Sequence, residues 1–328
     1  MKMMKVISEP GLVEVLKSLE ADYRVYVPIE LRDGTRVMGT MDEGPVSLLG
    51  GQVAVKPTAF FFPQMDSLFH FERGTVHEGA STGKPICLVG LSAADAEGLA
   101  FIDRFYNIVF KDEIYNKKRD PSLVAVISGK LGNGARFEPL AGRNCDIEFA
   151  YDGSKFYVSA YTAKGQALES RITDKDSALP FEHLQRMSVA QGQESKSILR
   201  HASQLILAGK VTDEFWQKIA DECIACGSCI FYCPTCTCFD VYDCGDADRG
   251  ERIRCWDACL LGGYTREASG HNPRNEAERS RRRISHKLET DVLRFGELGC
   301  VDCGRCDMFC PSGIGIRAVA KRIVDRFS

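Results

Sequence analysis

The sequence contains, at residues 223–234, the run Cys-Ile-Ala-Cys-Gly-Ser-Cys-Ile-Phe-Tyr-Cys-Pro, and at residues 300–311 the run Cys-Val-Asp-Cys-Gly-Arg-Cys-Asp-Met-Phe-Cys-Pro. Both runs have the spacing C-x2-C-x2-C-x3-C-P, which is typical of proteins that hold [4Fe–4S] clusters. Three closely spaced cysteines let one tight loop wrap a cuboidal cluster, and the glycine after the second cysteine gives that loop backbone freedom. The repeat therefore predicts two [4Fe–4S] clusters.

The fourth cysteine of such a run usually ligates the other cluster of the pair. We therefore predict that the first cluster is held by Cys223, Cys226, Cys229 and Cys310. The predicted ligands of the second cluster are Cys300, Cys303, Cys306 and Cys233. Zinc is the rival metal, but it uses four ligands in two C-x2-C pairs, whereas each run here has three closely spaced cysteines and a Cys-Pro.

The distribution of the cysteines supports a metal-binding role. The chain has 15 cysteines, and only Cys87 and Cys145 precede Cys223. A secreted disulfide scaffold would be shorter and would spread its cysteines more evenly. The chain shows neither an apolar stretch long enough to span a bilayer nor the apolar core of a signal peptide, so we expect a cytoplasmic protein.

The charge balance excludes another class of partner. The formal net charge is −3. Binding to nucleic acid or to a membrane surface would favour a clear basic excess. We therefore expect no nucleic-acid partner and no membrane span.

The periodicity of the apolar residues predicts an α+β protein of two domains. Residues 1–190 are interpreted as a mixed α/β domain, and residues 191–328 as an α-helical ferredoxin-like dicluster domain. We predict strands at Tyr23–Ile29, Thr35–Met41, Ala59–Phe62, Ile86–Leu91 and Leu123–Ser128, a hairpin over Asp146–Tyr151 and Lys155–Tyr161, and helices near Ala93–Tyr106, before Cys223 and at the C-terminus. The long segment 234–299 between the cysteine runs is interpreted as a helical insert, which favours the α-helical ferredoxin arrangement.

Five cysteines between the runs have no ligand role in this scheme: Cys236, Cys238, Cys244, Cys255 and Cys259. One interpretation is a third metal site, or third cluster, formed by Cys236, Cys238, Cys255 and Cys259. The other is that they pack around the clusters as small, polarizable side chains, which we favour because their spacing matches no standard ligand run.

Other motifs give weaker signals. The segment 129–134 is glycine-rich and follows a strand, but it fits neither a dinucleotide-binding fingerprint nor a P-loop, and we interpret it as a turn. The segment 279–283, with His286 and Lys287, is a basic run that we interpret as a solvated helix face. The alternative interpretation is that it screens the negative clusters or docks a partner. No arrangement of residues supports catalysis on a substrate, so we expect no substrate site.

Several motifs in order resemble a known group of proteins. They are Cys226-Gly-Ser-Cys-Ile-Phe-Tyr-Cys-Pro-Thr-Cys-Thr-Cys-Phe-Asp240-Val, Arg254-Cys-Trp-Asp-Ala-Cys259, Gly270-His-Asn-Pro-Arg274, Arg283-Ile-Ser-His-Lys-Leu288 and Cys300-Val-Asp-Cys-Gly-Arg-Cys306. Together they resemble the iron–sulfur subunits of sulfhydrogenases (β subunit) and of anaerobic sulfite reductase (A subunit). The N-terminal region is similar to the same family more loosely, at Phe60–Gln64, Leu88–Asp95 and Ile102–Tyr106.

The sequence departs from the family in two places. The family commonly shows Arg-Pro-Cys-Asp where this chain has Ser92-Ala-Ala-Asp95, and a Cys-x-Cys pair where this chain has Gly129–Arg136. An additional metal site at those positions is therefore not expected here.

The resemblance implies a subunit that passes electrons between a flavoprotein that handles NAD(P)H and a catalytic reductase or hydrogenase-like subunit. The alternative is a catalytic reductase subunit with an additional cysteine-ligated site in residues 234–259. A third hypothesis is a non-redox scaffold with structural zinc.

Overall fold

The computed structural model describes residues 3–78, 83–132, 134 and 136–328, with the side chains of 192–195 left out. The strands are β1 (Met3–Ile7), β2 (Arg24–Glu30), β3 (Arg36–Gly39), β4 (Met65–Glu72), β5 (Thr75–Glu78), β6 (Ile86–Leu91), β7 (Leu123–Leu131), β8 (Arg136–Glu138), β9 (Ile147–Tyr151), β10 (Phe156–Ala160), β11 (Lys175–Ser177), β12 (Phe239–Gly245) and β13 (Arg249–Trp256). The helices are α1 (Glu9–Ser18), α2 (Ala93–Phe105), α3 (Glu113–Arg119), α4 (Ala163–Ser170), α5 (Leu179–Ser195), α6 (Ser197–Leu207), α7 (Asp213–Asp221), α8 (Ser228–Phe231), α9 (Glu276–Ser285), α10 (Asp291–Phe295), α11 (Arg305–Met308) and α12 (Ile316–Phe327).

The chain divides into two compact units, and the division does not follow the sequence order. The first unit comprises Met1–Phe61 and Ser81–Glu194, and the second comprises Phe62–Ala80 and Ser195–Ser328. Residues 62–78, which fall within the predicted N-terminal domain 1–190, thus belong to the same compact unit as the cysteine runs.

The first unit is built on a mixed sheet with the strand order β11-β1-β10-β9-β7-β6-β2-β3, with β8 beside β7. The central pairs β2–β6, β6–β7 and β7–β9 are parallel. Strand β7 reads Leu-Val-Ala-Val-Ile-Ser-Gly-Lys-Leu and is buried along almost its whole length. Such a continuous apolar run is typical of a central parallel strand that is covered on both faces.

The second unit combines helices with an antiparallel sheet of order β12-β13-β4-β5. Its helical core contains buried apolar side chains of α6, α7, α9 and α12, among them Leu199, Trp216, Ile284 and Val319. The predicted C-terminal amphipathic helix is confirmed as α12, because its apolar stripe packs into this core.

Several predicted elements of the first unit are confirmed: β2, β6, β7, the β9–β10 hairpin and α2 lie where the periodicity placed them. The predicted strand at Ala59–Phe62 is wrong, because Pro57–Phe60 forms a 3-10 helix that begins at a proline. The predicted turn over 129–134 begins too early, because β7 continues to Leu131, and Asn133 lies outside the described residues.

The prediction of helical structure throughout residues 234–299 is also wrong. This segment first forms the β12–β13 hairpin and becomes helical only from Glu276 onward. The pairing of β13 with β4, which lies far away in the sequence, decides its conformation. Within the described part of the chain, no helix has the length and apolarity required to cross a membrane.

Candidate iron–sulfur site

Two cavities in the second unit are lined by the cysteines of the two runs. The first cavity is lined by Cys223, Cys226, Cys229 and Cys310, together with Arg283. The second cavity is lined by Cys233, Cys300, Cys303 and Cys306, together with Lys287. Each cavity is therefore lined by four cysteines, three from one run and the fourth cysteine of the other run, and the two ligand sets themselves stay predictions.

The two runs fold alike, which explains how one spacing builds both cavities. Ala225 and Asp302, at equivalent positions, have φ values of +53° and +57°. Gly227 and Gly304 follow with φ values of +78° and +77° and precede the short helices α8 and α11. The left-handed backbone at both positions turns each loop sharply, so that its three cysteines line one wall of a cavity.

An aromatic pair joins the ends of the two runs. Tyr232 and Phe309, again at equivalent positions, stack with ring centroids 4.2 Å apart and an interplanar angle of 22°. Each of them directly precedes the cysteine that crosses to the other cavity, Cys233 or Cys310. The stacked pair therefore holds Cys233 and Cys310 close to each other.

Backbone amides donate hydrogen bonds to two of the sulfurs. The N–H of Ile316, in the first turn of α12, lies 3.4 Å from Cys306 Sγ. The N–H of Ile314 lies 3.4 Å from Cys310 Sγ. Such hydrogen bonds stabilise negative charge on sulfur and are among the means by which a protein adjusts an iron–sulfur centre.

Lys287 is a buried cation beside the second cavity, with an exposure of 5%. Its Nζ lies 2.7 Å from Thr235 Oγ1 and 3.3 Å from the Gly299 carbonyl oxygen, and it donates to both. Burial lowers the pKa of this ammonium group, but its charge interactions with Cys233, Cys236 and Cys300 outweigh burial and raise the pKa well above its usual range.

Arg283 is the corresponding cation at the first cavity, with an exposure of 4%. The interpretation of the basic run as a solvated face is therefore wrong for Arg283 and Lys287, although Arg281 is exposed. The sequence carries only an indirect signal for this burial: Arg283 and Lys287 each stand next to an apolar residue of the helical core, Ile284 or Leu288, and the spacing does not distinguish a buried neighbour from a solvated one.

The cysteines between the runs do not form one group of four. The Cys236 thiol donates a hydrogen bond to Cys233, and the Cys259 thiol donates one to Cys238. The second of these bonds is the main reason why the pKa of Cys238 falls to about 6. Cys255 lies on β13, paired with Asp240 of β12 on one side and Met65 of β4 on the other.

In the described residues, no set of three or more His, Cys, Asp or Glu side chains is arranged to hold a single metal ion. The predicted third site and the zinc hypothesis both stay predictions that metal analysis tests. Four soft thiol donors around each cavity, with a buried cation and N–H groups directed at sulfur, suit the ligand chemistry of a [4Fe–4S] cluster.

Comparison with known proteins agrees with this chemistry. Residues 222–314 match the family model of the 4Fe-4S dicluster domain. The cysteine-rich part of the chain is thus an iron–sulfur domain, and the protein is a mixed α/β electron-transfer protein with a sheet-rich N-terminal region and a 4Fe-4S dicluster domain at the C-terminus.

The whole chain is similar to sulfhydrogenase 2 subunit beta of Pyrococcus furiosus, with 27% identity over 316 residues, which cover 92% of each chain. This relative confirms the resemblance drawn from the motifs: the chain is an iron–sulfur electron-transfer subunit that resembles the sulfhydrogenase β subunit. No solved structure matches the chain.

Proposed function

We propose that this chain relays electrons through two [4Fe–4S] clusters inside a multi-subunit redox complex. The observation that carries the proposal is the sorting of eight cysteines into two cavities of four, each completed by a cysteine from the other run. Bound there, the clusters would supply one-electron redox chemistry. The chain's own residues supply the thiolate ligands, the N–H donors to sulfur and the buried cations Arg283 and Lys287.

The proposal extends to the architecture and the surroundings of the chain. We assign the second unit to the α-helical ferredoxin arrangement, on the grounds that α7 leads into the first cysteine run, α12 follows the second, and cysteines of both runs pack against the core formed by α6, α7, α9 and α12. Because the relative is named as a subunit of a sulfhydrogenase, we propose two partners, a flavoprotein that handles NAD(P)H and a catalytic reductase or hydrogenase-like subunit. A cytoplasmic location is part of the same proposal.

Iron and acid-labile sulfide analysis on anaerobically purified protein tests the number of clusters. We expect about eight irons per chain. About twelve would instead favour the alternative of a reductase subunit with an additional cysteine-ligated site in residues 234–259. Zinc without visible absorption or an EPR signal after reduction would establish the scaffold hypothesis.

Paired cysteine substitutions test the crossed ligand sets. In the crossed arrangement Cys226 and Cys310 serve one cluster, so C226S/C310S keeps one intact cluster and about one spin per chain in the reduced EPR spectrum. C226S/C233S damages both clusters and is expected to lose that signal. C244S, at an exposed cysteine of the β12–β13 hairpin, is the control. The reverse result for the two double variants would show that the fourth cysteine of each run binds the same cluster as the other three cysteines of that run.

A further inference from the structure

The helical segment from α9 into the π-helical turn His286–Thr290 carries one buried cation to each cavity. Arg283 lines the first cavity and Lys287 the second. The two residues are four apart, so they lie on the same side of a helix, one turn after the other. They are 4% and 5% exposed, although Arg and Lys are almost never buried without a partner.

Arg283 lacks a protein partner for part of its guanidinium group. In the described structure, its Nε and Nη2 atoms are buried and have no hydrogen-bond partner. A buried, unsatisfied donor costs about 1–3 kcal/mol, and more when the group is charged. Four cysteines line the same cavity as this side chain, so negatively charged sulfur atoms are the available hydrogen-bond acceptors for its guanidinium group.

Lys287 is held differently. Its two hydrogen bonds go to Thr235 Oγ1 and to the Gly299 carbonyl oxygen, and Thr235 Oγ1 lies 3.2 Å from Cys233 Sγ. Both acceptors are neutral, so these contacts fix the position of the ammonium group without cancelling its charge. The charge faces a cavity lined by Cys233, Cys300, Cys303 and Cys306.

We propose that Arg283 and Lys287 separately set the reduction potentials of the two clusters. The charge of each side chain acts on the cluster in the cavity that it lines. The inference rests on the proposed function. Reduction adds one electron, and therefore one negative charge, to the group in the cavity. A buried cation stabilises that added charge, because buried charges are screened less than exposed ones, and so it raises the potential.

The experiment is an anaerobic redox titration of the full chain followed by EPR, with dithionite as the source of electrons. R283Q and K287Q each remove one charge, while R281Q removes an exposed charge from the same helix and serves as the matched control. Arg281 pairs with Asp213 and lines neither cavity. Each Gln variant is expected to weaken the reduction equilibrium of one cluster by at least about tenfold. For a one-electron step this lowers the midpoint potential of that cluster by about 59 mV.

R283Q and K287Q must shift the midpoint potentials of different clusters, and R281Q must shift neither potential. The inference is overturned if both variants shift the same potential. It is also overturned if neither variant shifts a potential more than R281Q does while the iron content stays at about eight per chain. R283K and K287R keep the charges and are expected to load iron and retain the wild-type potentials. Shifts in these variants as large as those expected for Gln would show that packing, and not charge, sets the potentials. A wild-type chain without iron would instead refute the proposed function.

Discussion

Gly227 and Gly304 are equivalent residues, but they differ in their surroundings. Both have φ near +78°, where a side chain is strained. A Cβ on Gly227 would meet the ring of Phe231 at 2.7 Å, whereas a Cβ on Gly304, which lines the second cavity, would have no atom of a described residue other than its chain neighbours within 4 Å. The two positions thus separate backbone strain from steric overlap.

We predict that G304A lowers the stability of the protein by about 1–2 kcal/mol, through backbone strain and without overlap with another protein side chain. G227A adds overlap with Phe231, worth a further ~1–3 kcal/mol, and weakens retention of the first cluster. The measurement is the anaerobic thermal midpoint at a fixed scan rate, with the visible absorption that each variant retains. Equal losses in the two variants would count against a role for the Phe231 ring.

At the scale of elements, the β12–β13 hairpin depends on a strand from elsewhere in the sequence. Strand β4 pairs with β13 and brings Asp66 to Arg254, with Nη2 and Oδ2 3.0 Å apart. The guanidinium group also lies over the rings of Phe62 and Phe239, at 5.4 Å and 5.7 Å. Both charged residues are buried, so this ion pair joins β4 to the hairpin inside the sheet.

We predict that D66A destabilises the protein by about 3–5 kcal/mol, because it removes the buried carboxylate that pairs with a buried guanidinium group. The matched control is D243A, which breaks an exposed ion pair with Arg252 in the same sheet and is expected to cost only about 0–1 kcal/mol. Anaerobic thermal unfolding of both variants provides the comparison. Similar small losses would mean that the Asp66–Arg254 pair contributes nothing to joining β4 and the hairpin.

At the scale of the whole molecule, residues 62–80 make the second unit discontinuous in sequence. A fragment of residues 191–328, cut at the predicted domain boundary, lacks β4 and β5. It therefore leaves the edge of β13 unpaired and Arg254 without Asp66. An open strand edge of this kind is a site of aggregation.

We predict that the fragment 191–328 aggregates or melts well below the full chain, and that joining residues 62–80 to it through a flexible linker restores its solubility. Anaerobic size-exclusion chromatography and the iron content of both fragments are the measurements. If the fragment 191–328 alone is monomeric, loads about eight irons and melts like the full chain, then the hairpin β4–β5 is dispensable and the boundary at 190 describes an independent domain.

Sequence spacing alone specified the cluster motifs. Three cysteines within seven residues lie on one short loop, so local backbone geometry brings Cys223, Cys226 and Cys229 to one cavity without help from the rest of the chain. The same holds for the buried strands β6 and β7 and for helix α12, whose apolar patterns are continuous and local. Local interactions are the ones that residue order encodes directly.

Only the tertiary structure decided which charges are buried and which strands pair. Arg283 and Lys287 belong to a run that looks solvated, and they become buried because neighbouring residues on the same helix, Ile284 and Leu288, pack into the core. The hairpin β12–β13 was missed because every residue of β12 is exposed, and no apolar alternation marks it. Its partner β4 comes from residues far away in the chain, and such long-range pairing depends on the packing of the whole unit and leaves no local pattern in the sequence.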